Sequence, residues 1–198
     1  MRVALFGGTF DPIHRGHLAI AGAAADAFGL DTVLFAPAGR QPLKLNSTPT
    51  TFEDRLAMVE LACGSDARFC ASALDAPHAD GSANYTVDTL AALILERPGD
   101  QIFVLAGADS FLDLPRWREP ARLLQLAEWI VVSRPGFSLD DFNGLALPPG
   151  RVHRLESVHE DVSATELREK LERGEDCSAM VPAAVLEYVR ERGLYRGK

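Results

Sequence analysis

Two histidines, His14 and His17, follow the glycine pair Gly7-Gly8 near the start of the chain. An imidazole donates hydrogen bonds to phosphate oxygens, and its ordinary pKa near 6.5 allows it to become cationic when an anion binds. The two histidines also stand where a loop enters an alanine-rich stretch typical of a helix, and a helix N-terminus attracts anions. Histidines are more often structural or solvated, but this context indicates a phosphate-binding site.

Strands and helices alternate along the chain and must position these residues. The glycine-bounded apolar run 3–6 predicts a buried strand, and residues 16–28 predict a helix that Gly29 ends. Further strands are predicted at residues 32–36, 69–74, 102–106, 129–133 and 152–155. Further helices are predicted from the capping box of Thr50 and Glu53 up to Gly64, and at residues 85–96, 122–126, 163–173 and 182–192.

Such alternation, with strands that are apolar on both sides, indicates an α/β fold. We expect a Rossmann-like, doubly wound and mostly parallel sheet with a small C-terminal helical part at about residues 160–198. The length of 198 residues suits a single domain that spans residues 1–198.

Composition excludes several classes of function. A net charge of -8 and the lack of a basic run argue against a nucleic-acid-binding surface. No apolar stretch reaches about 18 residues, so we expect no membrane span, and the immediate first strand leaves no room for a signal peptide. Three cysteines without a C-x-x-C pair suit reduced thiols better than disulfides or a zinc site. We therefore expect a cytoplasmic protein.

In open parallel sheets, ligands bind beyond the C-terminal ends of the strands. The glycine pair, Lys44, and the turn from Gly107 to Asp109 each follow a predicted strand. Neither a G-x-S-x-G nucleophile motif nor a Walker A motif is present. Stabilising a transferring phosphate needs only donors in fixed positions, so the pattern favours phosphate chemistry without a protein nucleophile.

The stretch GGTFDPIHRGH at residues 7–17 resembles the signature of the nucleotidyltransferase superfamily, in the H-x-G-H form of nicotinate-nucleotide adenylyltransferases. The likeness extends over most of the chain. It includes NYTVDTL at 84–90, GADS at 107–110 with Trp117 after it, VVSRPG at 131–136, VSATELR at 162–168, and an ending from Val181 to Tyr195.

The resemblance implies that the phosphate of nicotinate mononucleotide attacks the α-phosphate of ATP directly, giving deamido-NAD and pyrophosphate in NAD biosynthesis. Mg²⁺ would accompany ATP without a dedicated protein cage. The implied catalytic residues are His14, His17 and Arg168. The implied ATP contacts are Gly8, Thr9, Phe10, His14, His17, Lys44, Gly107, Asp109, Ser163, Thr165 and Arg168. Those for nicotinate mononucleotide are Tyr85, Thr86, Trp117 and Arg134.

Several of these residues also have a plain structural interpretation. Ser163 and Glu166 have capping-box spacing, although a capped helix start can still bind an anion. Arg168 alone would be a solvated charge, and a single tryptophan such as Trp117 is more often a packing residue. Tyr85 and Thr86 could cap and pack a helix, and Arg134 could be a turn residue. Both interpretations stay open at these positions.

One loop departs from the family pattern P-x-x-x-P-P-H-K, because residues 37–44 read PAGRQPLK. Lys44 is kept as the implied phosphate ligand, whereas leucine replaces the histidine. His78, His153 and His159 match nothing in the pattern and are expected at the surface.

Other functions of proteins with this fold agree less well with the pattern. Phosphopantetheine or cytidylyl transfer disagrees with His14 and with residues 162–168. A non-catalytic nucleotide-binding module disagrees with the intact His14, His17 and Arg168. The preference between nicotinate and nicotinamide mononucleotide stays open, as does a homo-oligomer.

Overall fold

The computed structural model describes residues 1–40, 50–133, 146–156 and 162–196. Its strands are β1 (Arg2–Gly8), β2 (Thr32–Pro37), β3 (Phe69–Ala71), β4 (Gln101–Gly107), β5 (Glu128–Ser133) and β6 (Val152–Glu156). Its helices are α1 (Arg15–Phe28), α2 (Phe52–Cys63), α3 (Thr86–Glu96), α4 (Ala108–Leu112), α5 (Pro120–Leu126), α6 (Ala164–Glu172) and α7 (Ala183–Arg192). A 3₁₀ turn occupies Leu114–Arg116.

The six strands form one sheet in the order β3-β2-β1-β4-β5-β6, and every pairing is parallel. The predicted Rossmann-like α/β fold is confirmed. The strand order reverses between β1 and β4, so their C-terminal ends border the crevice where such sheets bind ligands. The loop with both histidines leaves β1 at this crevice.

Successive side chains of a strand point to opposite faces of the sheet, and here both faces are apolar. Helices therefore cover the sheet on both sides. On β1, Ala4 and Phe6 join a core cluster with α1, α2 and α7, whereas Val3 and Leu5 join a second cluster with α3 and α5. Burial on both sides explains the continuous apolar runs of the central strands. The loops at the strand ends are therefore carried by a rigid layer.

Some local predictions were wrong in detail. Helix α2 is capped by Thr51, whose Oγ1 accepts the backbone N–H of Asp54 at 3.1 Å, and not by Thr50. Ser163 occupies the N-cap of α6 but makes no capping hydrogen bond with its side chain, so the predicted capping box does not form. The 69–74 strand is shortened to Phe69–Ala71.

None of the helices in the described ranges is long and apolar enough to cross a membrane.

Candidate active site

The glycines at the ends of β1 and β4 have different roles. A Cβ atom added at Gly7 or Gly107 would meet no atom within 4 Å, so the backbone there borders open space. A Cβ at Gly8 would lie 2.8 Å from the ring of Phe10, which folds back over the strand end with a left-handed φ of 49°. Gly8 is therefore needed for packing, whereas Gly7 and Gly107 leave room for a ligand to approach.

The two imidazoles are stacked on one another at the start of α1. His14 is the N-cap residue, and its ring centroid lies 3.7 Å from that of His17, with 25° between the ring planes. The backbone N–H of His14 donates to Nδ1 of His17 at 3.3 Å. Because Nδ1 accepts this bond, a neutral His17 carries its proton on Nε2, which is then the donor available to a ligand.

Both imidazoles are neutral near pH 7 in the free protein. Burial lowers the pKa of His14 to about 4, and only 5% of the residue is exposed. Burial also lowers the pKa of His17 well below its usual value, and the neighbouring His14 adds to this effect. Nδ1 of His14 has no hydrogen-bond partner in the part of the chain that the structure describes. Protonation of both imidazoles near pH 7 would require a bound anion that stabilises their positive charges.

The start of α6 brings a third group to this loop. Arg168 donates from one guanidinium nitrogen to the backbone oxygen of Asp11 at 2.8 Å and from another to Oγ1 of Thr165 at 3.2 Å. Ser163 and Thr165 are exposed on the same helix start. The structure thus brings Arg168 to the loop that carries the histidines, with Thr165 beside it.

Tyr85 and Trp117 both pack against the second core cluster. The Trp117 ring is half-buried and meets the buried ring of Trp129 edge to face, with 6.1 Å between centroids. The guanidinium of Arg118 lies 4.6 Å from the centre of the Tyr85 ring. Part of the role of Trp117 is therefore packing, and its half-exposed ring leaves surface for a second aromatic group.

The remaining predicted residues fall into two groups. Thr86 begins α3 and is half-buried, and Asp109 is exposed in the first turn after Gly107. Lys44 and Arg134 lie outside the described residues. In the ranges that the structure describes, no group of three or more histidine, cysteine or carboxylate residues is placed to hold a metal ion.

The loop that leads toward Lys44 is fastened to the start of α3. Asn84 accepts the backbone N–H of Arg40 at 2.9 Å through Oδ1 and donates its own backbone N–H to the carbonyl of Arg40, also at 2.9 Å. A Cβ at Gly39 would lie only 2.5 Å from Oδ1 of Asn84, so glycine permits this close approach.

Sequence reasoning missed several buried polar residues behind the site. Arg55 is only 2% exposed and donates to the backbone oxygen of Thr9 at 2.9 Å. Asp11 is 1% exposed and accepts hydrogen bonds from Thr50 and Tyr195. For Arg55, the sequence signal was an arginine among the apolar helical positions of α2. For Asp11 there was no such signal, because its hydrogen bonds join residues that are distant in the sequence.

The all-parallel sheet, the open strand ends of β1 and β4, and the histidine pair together define a nucleotide-binding protein of Rossmann-like architecture. Residues 5–170 match the family described as Cytidylyltransferase-like. A protein of Roseiflexus sp. (strain RS-1), named "Probable nicotinate-nucleotide adenylyltransferase", is 42% identical over 98% of this chain and 98% of its own length. One of Solibacter usitatus (strain Ellin6076) with the same name is 40% identical over 98% of this chain and 100% of its own. The chain belongs to the nicotinate-nucleotide adenylyltransferase family.

Solved structures agree with the fold. Nicotinic acid mononucleotide adenylyltransferase of Plasmodium falciparum, complexed with NaAD, superimposes with a TM-score of 0.75 over 98% of this chain and 97% of that chain. The same enzyme complexed with APC superimposes with a TM-score of 0.73 over 98% of this chain and 96% of that chain. At 17% identity, both comparisons bear on the architecture alone.

Proposed function

We propose that this protein transfers the adenylyl group of ATP to nicotinate mononucleotide, and that the residues of the crevice perform this reaction. The observation that carries the proposal is the stacked, neutral pair of His14 and His17 at the N-terminus of α1. The loop that carries this pair follows β1, which pairs with β4, and the end of β4 at Gly107 borders open space. Such a site presents hydrogen-bond donors, a helix N-terminus and free backbone to a phosphate group. Family membership supports the choice of substrates.

The chemistry is a single displacement at phosphorus. An oxygen of the mononucleotide phosphate forms a bond to the α-phosphorus of ATP, and the bond from that phosphorus to the bridging oxygen breaks, so pyrophosphate leaves with the electron pair. His17 donates from Nε2, and Arg168 places a positive charge near the same phosphates. No side chain forms a covalent intermediate. The products are deamido-NAD and pyrophosphate.

The other proposed ATP contacts come from the strand ends and from the start of α6. Open backbone at Gly7 and Gly107 allows the nucleotide to come close to the strand ends. The predicted contacts of Gly8, Thr9 and Phe10 would be made by the backbone of their turn, because the Phe10 side chain is buried against Gly8. Asp109, His14, Lys44, Ser163 and Thr165 complete the proposed set. Mg²⁺ enters as part of the MgATP substrate, because this ion keeps several waters and binds mainly through phosphate oxygens.

Nicotinate mononucleotide would bind on the α3 side of the crevice. The N-terminus of α3 offers Thr86 and free N–H groups to the nicotinate carboxylate. Trp117 would stack on the pyridine ring, and Tyr85 and Arg134 would border the pocket. This arrangement gives the two substrates separate sites that meet at the histidine pair.

Substituting Trp117 with alanine should raise KM for nicotinate mononucleotide about fivefold, because one aromatic stack contributes about 1 kcal/mol. KM for MgATP should change less than twofold. Steady-state kinetics with each substrate varied in turn measures both values. Trp117→Phe, which keeps a ring, should recover part of the loss. Equal increases in both KM values would contradict the stacking role.

Pyrophosphate release tests the function directly. Purified protein with MgATP should release pyrophosphate with nicotinate mononucleotide, and more slowly with its amide, since the helix N-terminus favours a carboxylate. CTP in place of ATP should give little product. A faster reaction with the amide would reassign the substrate, and the absence of pyrophosphate with both would overturn the proposed function.

The thiol chemistry supports a reducing compartment, and we propose a cytoplasmic location. Cys63, Cys70 and Cys177 are free, and burial raises the pKa of the Cys63 thiol to about 12. The thiol is therefore protonated and unreactive at neutral pH.

A further inference from the structure

A buried polar cluster lies directly behind the histidine loop, in which Asp11 joins three segments that are far apart in the sequence. Oδ1 of Asp11 accepts hydrogen bonds from the hydroxyl groups of Thr50 and Tyr195, each at 2.5 Å. The backbone oxygen of the same residue accepts the 2.8 Å bond from Arg168. One residue thus connects the loop after β1, the start of α2, helix α6 and the C-terminal segment.

The cost of burying this carboxylate indicates that it has a specific role. Asp11 is 1% exposed, and its Oδ2 has no hydrogen-bond partner within the described ranges. Arg55 is buried nearby and holds the carbonyl of Thr9. Burying charged groups without direct pairing is unfavourable, so a fold selected for stability alone would gain from an apolar cluster here. Instead, this polar cluster fixes the backbone between Thr9 and His14.

The segment between α6 and α7 is also tied to the chain that follows this loop. The backbone N–H of Arg15, the first residue of α1, donates to the carbonyl of Met180 at 2.8 Å. Tyr195 has a left-handed φ of 57°, a conformation that costs energy for a tyrosine. Its contact with Asp11 accompanies that strained backbone, as expected for a residue held in place by a specific bond.

We propose that Asp11 and Tyr195 are positioning residues for adenylyl transfer: the Tyr195 hydroxyl holds the Asp11 carboxylate, and Asp11 in turn holds Arg168 and the histidine loop in their working geometry. Neither residue needs to touch a substrate. This inference rests on the proposed roles of Arg168 and His14 in the function above. A displacement of about one ångström in a catalytic group can lower turnover about 100-fold, so loss of one hydroxyl should be visible in kcat.

The test is Tyr195→Phe, which keeps the ring and removes only the hydroxyl. We expect kcat to fall about tenfold while KM for nicotinate mononucleotide stays within twofold, because the hydrogen bonds that Asp11 makes among the described residues reach Thr50, Tyr195 and Arg168 and do not include Trp117 or α3. Tyr188→Phe is the matched control: Tyr188 also donates its hydroxyl to a buried carboxylate, Oδ1 of Asp54 at 2.9 Å, but joins α7 to α2. The Tyr188→Phe variant should lose a free energy of unfolding similar to that lost by Tyr195→Phe, and it should keep the wild-type kcat.

Combination with Arg168→Ala separates this inference from the proposed function. If Tyr195 acts through Arg168, Tyr195→Phe should lower kcat much less in the Arg168→Ala background than in the wild type. Full additivity, a wild-type kcat in Tyr195→Phe, or equal losses in the two tyrosine variants would overturn the positioning role. Wild-type turnover in Arg168→Ala alone would instead overturn the role proposed for Arg168, whereas the absence of pyrophosphate release by the unmutated protein would overturn the proposed function.

A second variant covers the case in which Tyr195→Phe does not fold. Thr50→Val removes the other hydroxyl donor to Oδ1 of Asp11 and keeps the shape of the side chain. It should give the same pattern, a lower kcat with an unchanged KM for nicotinate mononucleotide. A wild-type kcat in this variant would contradict the role of Asp11.

Discussion

Substituting His17 with alanine should lower kcat about 100- to 1000-fold, the cost of removing one fixed donor to charge that develops in a transition state. The Nδ1 atom of His17 is occupied by the backbone N–H of His14, so Nε2–H is the donor that the ligand loses. The fold should persist, since the ring lies at the edge of the core beside Phe6 and Phe10. Pyrophosphate release under saturating substrates measures the effect, and far-ultraviolet circular dichroism monitors the fold.

Two further variants show how a loss of kcat in His17→Ala should be interpreted. His17→Asn keeps a side-chain oxygen that can accept the N–H of His14, but it cannot place a donor where the imidazole Nε2 lies, so it should be nearly as inactive as alanine. His78→Ala, at an exposed position outside the motif, should behave as the wild type. Wild-type turnover in His17→Ala would exclude the proposed mechanism.

The fold and the position of the site could be predicted because they depend on local signals. Glycine at the ends of β1 and β4 and the alternation of apolar strands with amphipathic helices specify a doubly wound sheet, in which ligands bind where strand order reverses. The sequence also indicated that His14 and His17 meet at a helix start. Their stacking and tautomer could not be predicted, since they depend on a hydrogen bond of the folded loop.

The buried support of the site depends on contacts between distant residues, which one sequence does not reveal. Thr50 illustrates the difficulty, because its spacing to Glu53 matched a capping box although the adjacent Thr51 caps α2. Thr50 instead donates to Asp11, 39 positions earlier in the chain. A hydroxyl can cap a helix or satisfy a buried carboxylate, and only tertiary packing decides between these uses.

Acidification should destabilise the ligand-free protein through the same two histidines. The pKa of His14 is lowered from 6.5 to about 4 by burial, so between these values the unfolded chain binds a proton that the folded protein does not. The stabilising contribution is therefore fully present above pH 6.5 and is lost as the pH falls toward 4. His14 alone should reduce the free energy of unfolding by about 3 kcal/mol across this window. The lowered pKa of His17 adds to the loss in the same direction.

Urea unfolding at a series of pH values measures this slope, and His14→Gln should flatten it between pH 6.5 and about 4. Asp54 provides an internal reference, because its hydrogen bonds from Thr51, Tyr188 and Arg192 lower its pKa despite burial, and its contribution is lost only as the pH falls below the usual 3.8. His78→Gln should leave the curve unchanged. An equal slope in the wild type and His14→Gln would show that His14 is not held neutral by burial, and the hydrogen-bonding role proposed for neutral imidazoles would then have to be replaced by one for cations.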